Sequence, residues 1–309
     1  MTDTLIENVS DTAFWVAYYR ALESKRPDAL FHDPFAGLLA GAHGEKIARS
    51  MPGKYMTAWS VVIRTCIIDD YIRFALAHGV DTVLNLGAGL DTRPYRMDLP
   101  SSLLWIEADY PHVIDFKQER LSNQTPRCRL ERVQLDLANP SERLKLLSGS
   151  NARAQKILIL TEGVVPYLTV QDVGSLADDL AAQDRAAYWV LEYFSYEALK
   201  FRLRMTRRTL RNAPFKFNPG DWLGFFAAHG WHCRELRYLA EEGERLQRPL
   251  RFPLRLKLIL GFRSLFASRE RRKAFRRFAA YIMLDRATPS SPVETNAAAQ
   301  LSPESGSRA

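Results

Sequence analysis

Residues 82 to 89, Thr-Val-Leu-Asn-Leu-Gly-Ala-Gly, decide how the rest of the chain is read. A short β-branched and aliphatic run that closes on glycines is the pattern of a buried strand ending in a tight turn, where backbone can approach a ligand closely. The same kind of run returns as SLLWIEAD (102–109), RLERVQLD (129–136), KILILTEG (156–163) and AAYWVLEY (186–193), with helical stretches at Pro111 to Ser122, Ser141 to Leu147 and Val170 to Ala182. This is the rhythm of βαβ units and predicts a doubly wound parallel sheet of α/β class, with its ligand at the carboxyl ends of the strands.

Upstream of Thr82 the pattern is helical. Phe14, Trp15, Tyr18, Tyr19 and Leu22 recur at helical spacing behind an Asp N-cap candidate and predict an amphipathic helix whose aromatics belong to the core. A second helix is expected after Asp33-Pro34 and a third from Trp59 to His78. Downstream of 194 a basic helix is expected at 196–211, a helix near Trp222 to His229, a strand near Trp231 to Tyr238 and a last strand in FAAYIMLDR (278–286). The organisation expected is a helical segment over the cleft (1–80), core (81–194), a first lid insertion (195–217), core again (218–240), a basic helical lid (241–277), the last core strand (278–286) and a Pro/Ser/Ala-rich tail (287–309) read as disordered.

Composition narrows the function classes. The 309 residues carry 43 Lys+Arg against 35 Asp+Glu, a net charge of +8, and 47% apolar residues, the profile of a globular protein with a sizeable core. Cys66, Cys128 and Cys233 form no C-x-x-C pair, so neither a disulfide framework nor a thiolate zinc site is expected. The opening MTDTLIENVSDTAF lacks the basic and apolar regions of a signal peptide, and a cytoplasmic location is expected. The basic stretch 245–277 reads as a solvated lid ahead of a membrane-surface helix, and ahead of a nucleic-acid patch, which nothing else in the sequence supports. No metal site is expected, because the histidines lack partners at ligand spacing and His229 with His232 reads as a helix end leading into a strand.

The strand ends hold the chemistry. After Gly87 and Gly89, Thr92 stands where a dinucleotide fingerprint needs its third glycine, which weighs against an NAD site. Strand two ends in Glu107-Ala108-Asp109, strand three in Asp136-Leu137 and strand four in Thr161-Glu162-Gly163. An acid at the tip of strand two can hold a ribose, with Asp109 preferred to Glu107, and Asp136 with Leu137 can hold adenine. Acids converging on one pocket suit an amine-bearing nucleoside better than a pyrophosphate. S-adenosyl-L-methionine meets that description, and its carboxylate needs a cation such as Arg64 or Arg93.

These motifs, NLGAGLDTRPYR, IEADYP followed by Lys117, LDL and TEGVVPYL, resemble those of the leucine carboxyl methyltransferase-like family of S-adenosylmethionine-dependent O-methyltransferases. TAFWVAYYRALESKRPDALFHDPFA and YIMLDR are similar to the bacterial branch that includes tetracenomycin-type polyketide O-methyltransferases. The resemblance implies a class I methyltransferase-like, mostly parallel seven-stranded sheet with N-terminal helices and a helical lid. It also implies that Arg64 binds the methionine carboxylate, Gly87 and Gly89 line the methionine moiety, Asp109 holds the ribose, Asp136 and Leu137 hold adenine, Glu162 meets the amine and Tyr167 closes the pocket. The acceptor expected is a small metabolite carrying a carboxylate or phenol, with Tyr19, Tyr193 and Tyr196 as candidate substrate contacts and no catalytic base nominated. An NAD(P)-dependent oxidoreductase and a non-catalytic cofactor-binding scaffold stand as the alternatives. The sequence leaves the oligomeric state open.

Overall fold

The computed structural model describes residues 10–50, 53–206, 212–250 and 276–286. Three helices open the chain, α1 (Asp11–Ser24), α2 (Ala36–Ser50) and α3 (Lys54–Ala77). The alternating part runs β1 (Thr82–Leu86), α4 (Arg93–Arg96), β2 (Leu104–Asp109), α5 (Pro111–Arg120), β3 (Arg129–Gln134), α6 (Pro140–Asn151), β4 (Ile157–Leu160), α7 (Val170–Ala181) and β5 (Ala186–Phe194). Then follow α8 (Tyr196–Thr206), α9 (Trp222–Ala228), β6 (Trp231–Tyr238), α10 (Leu239–Arg245) and β7 (Ala279–Arg286).

The strands form one seven-stranded sheet in the order β3-β2-β1-β4-β5-β7-β6. All neighbours are parallel except that β7 runs antiparallel to both β5 and β6. The sequence predicts the strands but not this reversal, because a strand's residues show which faces are buried and not its direction. The order turns back beside β1, and the crevice outside the carboxyl ends of β1 and β4 is where a sheet of this topology takes its ligand.

Central strands are apolar because helices cover both faces: every residue of β1 and β4 is buried. Side chains alternate between the two layers. Leu84 and Leu86 join Leu176, Trp222 and Phe226 on one side, while Val83 joins Ile63, Ile67 and Tyr71 of α3 on the other. Edge strand β3 is RLERVQ, with both ends exposed.

Helix α1 packs against α2, with Trp15 and Tyr19 in a small cluster with Ile47. Ser10 rather than Asp11 stands at its N-cap, and the Ser10 hydroxyl lies 3.1 Å from His112 Nε2. Leu22, expected on the apolar face, is 42% exposed. The third helix starts at Lys54, a turn and a half before the expected Trp59. Helix α10 runs across the expected boundary between core (218–240) and basic lid (241–277). Most of that lid (251–275), the end of the basic helix expected at 196–211, and the tail lie outside the described residues.

Candidate functional site

Asn85, Gly87 and Gly89 at the end of β1, Asp109 at the end of β2 and Glu162 after β4 line one cavity of about 370 Å³. Gly87 has φ +69°, and a Cβ there would lie 2.4 Å from Val164 Cγ2, so this turn admits no side chain without movement. Gly89 also lies in the left-handed region, at φ +46°, and its N–H donates to Asp109 Oδ2 at 2.6 Å. Tyr110 N–H donates to the other oxygen at 2.7 Å. Burial raises the Asp109 carboxyl, and these two N–H groups pull part of the way back.

Glu107, the rival to Asp109, is fully buried away from the cavity between Lys117 (2.7 Å) and Arg132 (3.0 Å). It satisfies a core lysine. Asp136 and Leu137 also line the cavity, and Asp136 Oδ1 accepts from Ala138 N–H at 2.9 Å.

At the other end, Arg64 Nε from α3 lies 2.9 Å from Glu162 Oε1 but is not aligned for a hydrogen bond, and it has no other acceptor. Arg93 Nη1 donates to Glu162 Oε2 at 2.9 Å. Burial pushes the Glu162 carboxyl up, but Arg93 and Arg64 outweigh it and hold the carboxyl below its ordinary range.

Arg93, considered as an alternative carboxylate fork, is 3% exposed and committed elsewhere, bonding Asp69 at 2.7 Å and Asp91 at 3.0 Å. Arg96 also grips Asp69, and Asp33 accepts from Arg20 of α1 at 2.9 Å and from Thr92 at 2.6 Å. The network ties the N-terminal helices to the β1 turn and fixes Glu162. Sequence reading missed it, since Asp33 announced only a helix start.

Tyr167 lines the cavity with its ring 5.1 Å from that of Phe215. The three tyrosines named as candidate substrate contacts lie outside the lining. The Tyr19 hydroxyl donates to Ala48 O at 3.2 Å, Tyr193 stacks edge-on against Trp222, and Tyr196 is 51% exposed with Lys200 over its ring. Tyr193 is turned away by strand alternation, which instead brings its neighbours Glu192 and Phe194 to the cavity. An acid inside the apolar run YWVLEY was the available signal for Glu192.

The family model described as leucine carboxyl methyltransferase matches residues 13–181. The chain belongs to the leucine carboxyl methyltransferase family. A Frankia alni protein named as an S-adenosyl-L-methionine-dependent methyltransferase is 31% identical over 258 residues, covering 79% of this chain and 90% of its own. A Streptomyces avermitilis protein of the same description is 31% identical over 263 residues, covering 78% and 89%. Among solved structures, a DUF574 family protein of Streptomyces avermitilis superposes with a TM-score of 0.56 at 13% identity, covering 89% of this chain and 97% of its own. A Thermobifida fusca protein named as a methyltransferase gives 0.55 at 16%, covering 93% and 97%. At these identities the structural likeness is one of fold.

This leucine carboxyl methyltransferase family member is thus an S-adenosylmethionine-dependent enzyme. Its cavity fits that cofactor on its own evidence: glycine backbone at the turn, acids at three strand ends, and a buried arginine Nε without a hydrogen-bond acceptor. Among the described residues no group of three His, Cys, Asp or Glu side chains could hold a metal ion, and no helix is long and apolar enough to cross a membrane.

Proposed function

We propose that the enzyme methylates an oxygen, a carboxylate or phenolic hydroxyl, of a small acidic or phenolic metabolite. The observation that carries the reading is one cavity lined by Gly87, Gly89, Asp109, Asp136 and Leu137, by Arg64 and Glu162, and by the aromatic side chains of Trp15, Phe194 and Phe215.

In this reading Asp109 accepts the ribose hydroxyls, Asp136 accepts the adenine amine and Leu137 packs on the ring. Glu162 takes the methionine ammonium and Arg64 its carboxylate, with Gly87 and Gly89 against the chain between them. Arg93 is a positioning residue, because it holds Glu162 without being free to bind anything else. Tyr167 narrows the cavity, and Trp15 and Val16 of α1 shield it from water.

The cofactor supplies an activated methyl group whose leaving sulfur departs uncharged, so the protein's task is alignment in line and exclusion of water. Titration calorimetry with S-adenosylmethionine and S-adenosylhomocysteine, with NAD and NADP as controls, tests the site. Saturable binding of the first pair alone is expected. Asp109→Ala should weaken it about 10- to 100-fold, the worth of hydrogen bonds to a charged group. Unchanged binding in both Asp109→Ala and Asp136→Ala would remove the proposed site.

A further inference from the structure

Glu192 is the buried acid that neither the fold nor the cofactor reading uses. It sits on β5 opposite Tyr281 of β7, and its side chain is 2% exposed. Gly163 N–H, in the turn after β4, donates to Oε2 at 3.1 Å and fixes the carboxyl. Oε1 is buried and has no hydrogen-bond partner. Both Glu192 and Tyr281 line the cavity, as do Phe194 two residues on and Glu162 and Arg64, the pair assigned above to the methionine moiety.

A buried carboxyl oxygen without a partner is costly, and a fold keeps one where a ligand supplies the missing contact. Structural acids of this protein are fully paired: Glu107 has Lys117 and Arg132, and Asp69 has Arg93 and Arg96. Glu192 has only one backbone N–H on one of its oxygens.

We propose that Glu192 is the general base of the reaction and that the acceptor is a hydroxyl, of phenolic type, lodged against the aromatic wall of the cavity. The proposal rests on the O-methyltransferase reading above and chooses between its two acceptor classes. A carboxylate acceptor is already ionised and needs no base, and it offers no proton to the unpartnered Oε1 of Glu192. A hydroxyl supplies the proton that Oε1 lacks.

In the step itself, Glu192 Oε1 takes the hydroxyl proton while an oxygen lone pair forms the new carbon–oxygen bond. The carbon–sulfur bond breaks with its electron pair passing to sulfur, whose positive charge is cancelled. The protonated Glu192 returns its proton to water when product leaves. The charged and titratable groups facing it are Arg64 from α3, Glu162 from the β4 turn and Tyr281 from β7. Burial pushes the Glu192 carboxyl up, the Gly163 N–H and Arg64 pull it down, and the balance leaves it at about 7, where a base at neutral pH works best.

The test measures methyl transfer from S-adenosylmethionine to matched probes, naphthol with naphthoate and phenol with benzoate, alongside S-adenosylhomocysteine binding by calorimetry. Wild type should methylate the hydroxyls in preference to the carboxylates, with kcat rising as pH passes through about 7. Glu192→Gln should lose roughly 100-fold or more in kcat, with its affinity for S-adenosylhomocysteine unchanged. If Glu192→Gln does not fold, Glu192→Asp carries the test: its carboxyl is withdrawn by one methylene, so kcat should fall while the pH limb persists. Transfer to carboxylates alone, transfer to no hydroxyl in the panel, or a Glu192→Gln enzyme as active as wild type overturns the assignment. Failure of wild type to bind S-adenosylhomocysteine would instead overturn the cofactor reading beneath it.

Discussion

At Gly87 two constraints act on one residue. Its positive φ penalises any Cβ, and Val164 Cγ2 occupies the place where that Cβ would go. Gly87→Ala should therefore cost about 1–3 kcal/mol by strain and overpacking, read from urea unfolding. Adding Val164→Ala should recover the overpacking part and leave the φ penalty; full recovery would mean the backbone conformation is not strained. Glu192 makes a different residue-scale prediction. Its carboxyl is raised to about 7, so the folded protein holds that proton more tightly than the unfolded chain, whose value is near 4.5. Its stabilising contribution is present below about pH 4.5 and is lost as pH rises through about 7. Glu192→Gln should accordingly gain melting temperature over wild type as pH rises across this window, and a pH-independent gap would mean that Glu192 does not titrate there.

Elements are tied together by buried charge. Arg93, at the start of α4, reaches Asp69 of α3, Asp91 of the β1 turn and Glu162 beyond β4. Removing Arg93 takes the neighbouring cation from buried Asp91 and leaves Asp69 with Arg96 alone and Glu162 with Arg64 alone, so Arg93→Ala should cost about 3–5 kcal/mol and loosen S-adenosylhomocysteine binding through Glu162. A loss below about 1 kcal/mol, the range of exposed ion pairs, would show the network to be solvated. Burial raises the carboxyls of Asp69 and Asp91, and the arginines over-compensate, leaving both below the ordinary range. Their stabilisation is complete above the unfolded carboxylate value and is lost as pH falls through their lowered folded values. Acid unfolding should move to higher pH in Arg93→Ala, in which Asp69 and Asp91 return toward ordinary values.

Over the whole molecule, the cavity is lined in part by a segment far from the sheet in sequence: α1 contributes Trp15, Val16 and Arg20, and Arg20 Nη2 donates to Leu90 O of the β1 turn at 2.5 Å. Binding in a cavity walled by both parts couples them. Saturating S-adenosylhomocysteine, at about 100 times its Kd, should add about 2.7 kcal/mol and raise the melting temperature by about 4 °C for a chain of this size. It should also protect α1 amides from hydrogen exchange, and protection confined to the sheet would mean that the helical segment is not part of the site.

The chain by itself determined the periodic order of its elements and the acids at the strand ends. Alternation, glycine turns and apolar runs are local signals, and TVLNLGAG, IEAD and TEG each carry theirs within a few residues. It favoured Asp109 over Glu107 on the same face without separating them, and the burial of Glu107 between Lys117 and Arg132 did so only in the fold. The tertiary structure decided the rest. Reversal of β7 between β5 and β6 depends on long-range pairing that no local pattern encodes. Commitment of Arg93 to three acids, and the orphaned Oε1 of Glu192, arise from burial by helices distant in sequence. Whether a charge is paired or left waiting is a property of the space around it, and that space exists only once the chain has folded.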